Sequence, residues 1–131
     1  MNFRYILLSM FILLFVSCYK DATISVTNNI GNVSIGSISY GNIYIGYKSL
    51  LPGETASEII SDGRDGVKFP MSAQLQFYMI SGKNKVFLKS KEIYTLNADQ
   101  HLKIVIDNNT EVVNPMKTTT EMDLKIMDDD K

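Results

Sequence analysis

Two side chains bound the chemistry open to this 131-residue sequence: a single cysteine, Cys18, and a single histidine, His101. A lone thiol permits no intramolecular disulfide, and zinc would need further nitrogen or sulfur ligands that the chain does not have. His101 stands beside Asp99 next to a turn and reads as a solvated turn histidine. A serine nucleophile would need that histidine and an acid around it, yet no Gly-x-Ser-x-Gly elbow occurs. Glu58, Asp62 and Asp65, with Gly63 and Gly66, form the most suggestive acidic patch. A calcium loop needs regularly spaced oxygen ligands and a closing bidentate glutamate. This stretch has neither, and Arg64 stands among its acids, so it reads as a glycine-rich loop between strands. The expectation is therefore a chain with no catalytic residue, no metal and no cofactor.

Tyrosine offers a different chemistry, that of recognition. Its ring is apolar and its hydroxyl polar, which suits surfaces that are dry at one end and wet at the other. Tyr40, Tyr44, Tyr47, Tyr78 and Tyr94 all fall in strand-like runs. If Ile43, Ile45 and Tyr47 face inward, Tyr44 faces out. Tyr78 is likewise out of phase with Leu75, Phe77 and Met79. Tyr44 and Tyr78 are the candidate binding surface; the competing reading has them filling core margins or the second face of a sheet.

The position of Cys18 is more specific than its chemistry. Arg4 and the amino terminus precede residues 6–16, ILLSMFILLFV; Ser17 and Cys18 follow, then Tyr19, Lys20 and Asp21. This order of charge, apolar run and small residue is that of an export signal. The run of 11 residues, read off the sequence, makes a helix of roughly 16 Å. A spanning helix needs about 20 residues, so a simple transmembrane anchor is the weaker alternative. Phe15-Val16-Ser17-Cys18 resembles a bacterial lipobox, with phenylalanine where leucine is commoner. The resemblance implies lipidation of the Cys18 thiol and cleavage between Ser17 and Cys18 by signal peptidase II. A diacylglycerol and further acyl chain on Cys18 would hold the chain to a membrane, since each buried methylene contributes about 0.8 kcal/mol. Tyr19, where aspartate would favour inner-membrane retention, implies the outer membrane by the same resemblance; the periplasmic or surface face stays open.

The elements that would position these groups are strands. Apolar and polar residues alternate at Ile24 and Val26, at Val33 and Ile35, then at Ile38 and Tyr40. They alternate again at Leu75, Phe77 and Met79, at Val86 and Leu88, and at Leu102, Ile104 and Ile106. Period two over short runs is the signature of half-buried strands. Turn residues separate the runs: Asn28, Asn29, Gly31 and Asn32; Gly41-Asn42; Pro52-Gly53, suited to a type II turn; and Ser81-Gly82-Lys83-Asn84, suited to a hairpin. Residues 54–60 could make one helical turn, but Thr55, Ile59 and Ile60 favour a strand. The expected fold is all-β, an antiparallel β-sandwich of about seven strands over residues 22–113. It follows a signal peptide at residues 1–17 and a short lipidated linker at 18–21. Residues 114–131, with five acids and three lysines, are expected to be a flexible acidic tail.

Charge and size narrow the function. The chain carries 13 basic and 14 acidic side chains, and removing the signal with Arg4 makes the remainder slightly more acidic. A nucleic-acid partner would need a clustered basic face, and none is expected. Leu51-Pro52-Gly53-Glu54-Thr55 and Tyr94-Thr95-Leu96-Asn97-Ala98 resemble stretches of small single-domain envelope lipoproteins of Bacteroides-like bacteria with Ig-like or transthyretin-like sandwiches. The expected function is a lipid-anchored, non-catalytic binding or adaptor module for a protein or glycan. The alternative is a structural envelope subunit that assembles through strand edges.

Overall fold

The computed structural model describes residues 20–116 and 121–123. The export signal with Ser17, Cys18 and Tyr19 lies outside the described residues. The described chain is an all-β sandwich. Its smaller sheet holds β1 (Asp21–Asn28) between β4 (Thr55–Ser61) and β7 (His101–Ile106). The larger sheet runs β3 (Ile43–Tyr44), β2 (Ser34–Tyr40), β5 (Met71–Ser81), β6 (Asn84–Leu96), β8 (Glu111–Val113), β9 (Glu121–Asp123). Of the segment expected as a tail, three residues make β9, paired antiparallel to β8, and Asn114 is buried. Residues 117–120 and 124–131 lie outside the described residues.

Alternation decides which side chains meet between the sheets. Ala22, Ile24 and Val26 of β1 point inward with Ile104 and Ile106 of β7, and all are buried. Facing them are Ile35, Ile38 and Tyr40 of β2, Leu75, Phe77 and Met79 of β5, and Leu88 and Leu96 of β6. Burying a large aliphatic or aromatic side chain contributes about 1.5–3 kcal/mol, so this shared layer is the main source of stability. Among the described residues, every strand pairing is antiparallel except one. β1 and β7 run parallel, with Thr23 opposite His101 and Asn28 opposite Ile106. Parallel neighbours need a long crossover, and here the path through the second sheet supplies it.

Departures from regular alternation have local causes. Ser37, at φ 48°, forms a bulge between Gly36 and Ser39. The extra residue lets Ile35 and Ile38 both face the core although three positions separate them. In β6 the register slips between Lys89 and Ile93, opposite Gln76 and Gln74. There the Ser90 hydroxyl accepts from the Leu75 N–H (2.9 Å) and donates to the Glu92 carbonyl (2.8 Å). The runs read separately around Leu88 and Tyr94 are thus one 13-residue strand with an internal irregularity.

The chain leaves β1 for the other sheet through a buried polar clamp. Asn28 is fully buried. Its amide donates to the carbonyls of Val33 (2.8 Å) and Leu50 (2.9 Å), and its Oδ1 accepts from the Ile30 N–H (3.0 Å). A second clamp is Tyr40. Its ring is in the core, and its hydroxyl lies 2.7 Å from the Met71 carbonyl and 2.8 Å from that of Tyr94. Burial raises its pKa. The Pro52-Gly53 turn forms as expected, with Gly53 at φ 87° and the Glu54 N–H donating to Leu51 O at 3.0 Å.

Candidate functional site

The most exposed aromatic surface gathers where the edges of the two sheets come together. β3 is only two residues long, and it presents Tyr44, 67% exposed, on the outer face opposite Ser39 of β2. Ile43 packs on the core and Ile45 is buried. Strict alternation would bury Tyr47 with them, but Tyr47 is fully exposed. Gly46 is the reason. It adopts φ 69°, and a Cβ there would come within 2.9 Å of the Ala56 Cβ. The backbone therefore passes directly against β4 in a left-handed turn that favours glycine, and the next side chain is turned out to solvent.

Across from these tyrosines stands β4. Its Glu58 and Ile59 both line the intervening space, though alternation sets them on opposite faces of the strand: Glu58 opposite Ile24 on the inner face, and Ile59, 63% exposed, opposite Thr23 on the outer one. Beyond β4, a 3-10 turn at Arg64–Gly66 closes with the Val67 N–H on Arg64 O (2.9 Å) and the Gly63 N–H on Val67 O (2.8 Å). The turn projects Arg64 and Asp65 into the rim, their charged ends 3.8 Å apart and largely in water. Together these groups and Asn42 line an open cleft of about 270 Å³. The lining combines two phenol rings, three isoleucines and a valine with two carboxylates, one guanidinium, one carboxamide and one serine hydroxyl. Such a cleft can stack on an apolar ligand face and exchange hydrogen bonds with its rim.

The residues singled out from the sequence divide between places. Tyr44 lines the cleft. Tyr78 lies on the same outer sheet face but farther in, paired with Gly36 and Phe87. Its ring is occupied by neighbours: Phe87 at 5.1 Å between centroids and the Lys85 ammonium 4.2 Å from its centre. Of the acidic loop, Glu58 and Asp65 reach the cleft and Asp62 does not. No group of three or more metal-ligating side chains occurs among the described residues. The contributions of Tyr47 and Ile59 were not expected; the glycine before Tyr47 was the available signal.

Two further polar groupings lie apart from the cleft. His101 opens β7 and is exposed, but it is not only solvated. Its Nε2 lies 2.7 Å from the hydroxyl of buried Ser25, which is 2.7 Å from that of Ser57. This ladder crosses the outer face of the smaller sheet, continued by Thr27 and Thr55 at 2.7 Å. On the opposite side of the sandwich, Tyr94 lines a second cleft with Glu92, Asp107 and Glu111. Burial first, then the negative charge and hydrogen bond of Glu92, then Asp107, push its pKa up to about 12.

No family model matches the chain, and neither a curated protein nor a solved structure does.

Proposed function

We propose that this chain is a lipid-anchored, non-catalytic binding module of a bacterial cell envelope, and that it binds its partner in the cleft between β3 and β4. Anchoring rests on the sequence: the lipobox-like Phe15-Val16-Ser17-Cys18 after an apolar run too short to span a bilayer. Outer-membrane placement rests on Tyr19 in the position after the cysteine. Binding rests on one observation, the exposure of Tyr44 and Tyr47 beside a recess that Ile59 also lines. Scattered apolar residues are normal on a surface, whereas a contiguous group at a concavity marks an interaction site. The ligand class at this level is protein or glycan.

Anchoring is tested with Cys18→Ala. The variant is expected to fold and to leave the membrane fraction, and wild-type cells treated with globomycin are expected to accumulate the uncleaved precursor. A variant that stays in the membrane fraction, with no precursor in treated wild-type cells, removes the lipoprotein reading.

A second reading, assembly of a structural subunit, draws on β7, the edge of the smaller sheet away from the cleft. Exposed edges are templates for pairing. Concentration-dependent association in analytical ultracentrifugation would favour it.

A further inference from the structure

Resting on the cleft reading above, we infer that the ligand is a neutral glycan, with a pyranose ring laid against Tyr47 and Tyr44. A pyranose presents one face of C–H bonds and a rim of hydroxyls. The cleft presents two exposed phenol rings and, around them, the side chains of Asn42, Glu58, Arg64 and Asp65. Carboxylates accept hydrogen bonds from vicinal hydroxyls, while the guanidinium and carboxamide donate to them. At about 270 Å³ the recess lies just below the usual range of about 300–1,000 Å³ for small-molecule sites. It suits one or two sugar units of a longer chain that continues into solvent through the open side.

A glycan fits this cleft better than an extended peptide does. A peptide adding to β4 would need a run of free backbone groups. The Asn28 N–H donates to Glu54 O and the Asp62 N–H to Lys20 O. By alternation along the β1–β4 register, the groups of Thr55, Ser57, Ile59 and Ser61 face away from β1. However, the Gly46 backbone lies against Ala56, so an added strand would meet Gly46 and Tyr47 partway along. Only the Ile59 end is open, and that is short for strand addition.

Glu58 and Asp65 outnumber Arg64 in the lining, and Asp65 already lies 3.8 Å from Arg64. The excess is negative, which disfavours uronic-acid and sulfated sugars and leaves neutral ones.

The test uses the full-length chain in a polyoxyethylene detergent, whose headgroup contains no sugar. It is applied to an oligosaccharide array spanning neutral hexoses, pentoses, N-acetylhexosamines, uronic acids and sulfated sugars, with hits titrated by calorimetry. Saturable binding to a neutral oligosaccharide is expected. Tyr47→Ala should weaken it at least tenfold, equivalent to about 1.4 kcal/mol, whereas Tyr47→Phe should hold it within about threefold. Tyr47 is fully exposed, so both variants keep the fold, which circular dichroism checks. A preference for acidic sugars, binding unaffected by Tyr47→Ala, or no binding across the array overturns the glycan assignment. In parallel, a random peptide library is panned on the same protein. Peptides whose binding Tyr47→Ala abolishes would overturn the glycan while upholding the cleft. Binding elsewhere, by sugar or peptide, would remove the cleft itself.

Discussion

Replacing Asn28 by alanine removes three hydrogen bonds from a fully buried site at once. The Val33 carbonyl and the Ile30 N–H lose the partners that the carboxamide gives them, while Leu50 O retains the Ile35 N–H at 3.0 Å. Leaving a buried backbone group unpaired costs about 1–3 kcal/mol. Two such groups, with the small void left by the carboxamide, give an expected loss of about 3–5 kcal/mol. A body of this size has a total stability of about 5–15 kcal/mol, so the variant should be folded but greatly weakened. Each kcal/mol shifts the melting midpoint by about 4–8 °C in a domain of this size, so a drop of at least about 12 °C is expected. Urea unfolding followed by circular dichroism checks this, with the slope unchanged and the midpoint lowered. Asn28→Asp refines the assay. It keeps the acceptor for Ile30 but aims a carboxylate at two carbonyls, which raises its folded pKa above the unfolded value of about 3.9. Its stability is therefore greatest below about pH 4 and is lost as pH rises through the folded pKa. A loss below about 1 kcal/mol for the alanine variant, or an aspartate variant insensitive to pH, would refute the account of Asn28 as the clamp of the sheet crossing.

Two other outcomes follow from Tyr40 and the half-buried Tyr94. Tyr40→Phe keeps the ring in the core but removes the hydroxyl held by Met71 O and Tyr94 O, and should cost about 1–3 kcal/mol in urea unfolding. Tyr94 in the folded chain ionises at about 12, against about 10 unfolded. The unfolded chain therefore releases its proton first, and stability should fall as pH rises from about 10 to 12. Tyr94→Phe should flatten that fall in thermal melts across the range, leaving the part due to Tyr40.

Much of the fold could be read along the chain because the physics is local. Period-two runs place Ile24 with Val26 and Ile104 with Ile106, and both pairs are buried. The change of phase from Val33 and Ile35 to Ile38 and Tyr40 is the trace of the bulge at Ser37. Pairing partners are another matter. Nothing in the residues of β1 says that it lies parallel to β7, some 75 residues later, since either direction buries the same side chains. β8 is too short for a pattern of its own, and its place follows from the partner it meets at Lys89 and Ser90.

The cleft was the hardest feature to read, and its construction explains why. It joins residues 42–47 at the edge of one sheet to residues 58–65 at the edge of the other. Neither segment carries a motif. Alternation alone would turn Tyr47 inward beside Ile45, yet a single glycine at φ 69° against Ala56 reverses it. The same contact that exposes Tyr47 also holds the β3 end of one sheet against the β4 end of the other. Position and exposure of the tyrosine thus share one cause. Gly46, lacking a Cβ, permits this close approach and, by doing so, leaves an aromatic ring in water, where it contributes nothing to the core. A ring so placed stabilises only what comes to lie upon it, which is why the functional reading rests on Tyr47 more than on the partly covered Tyr78.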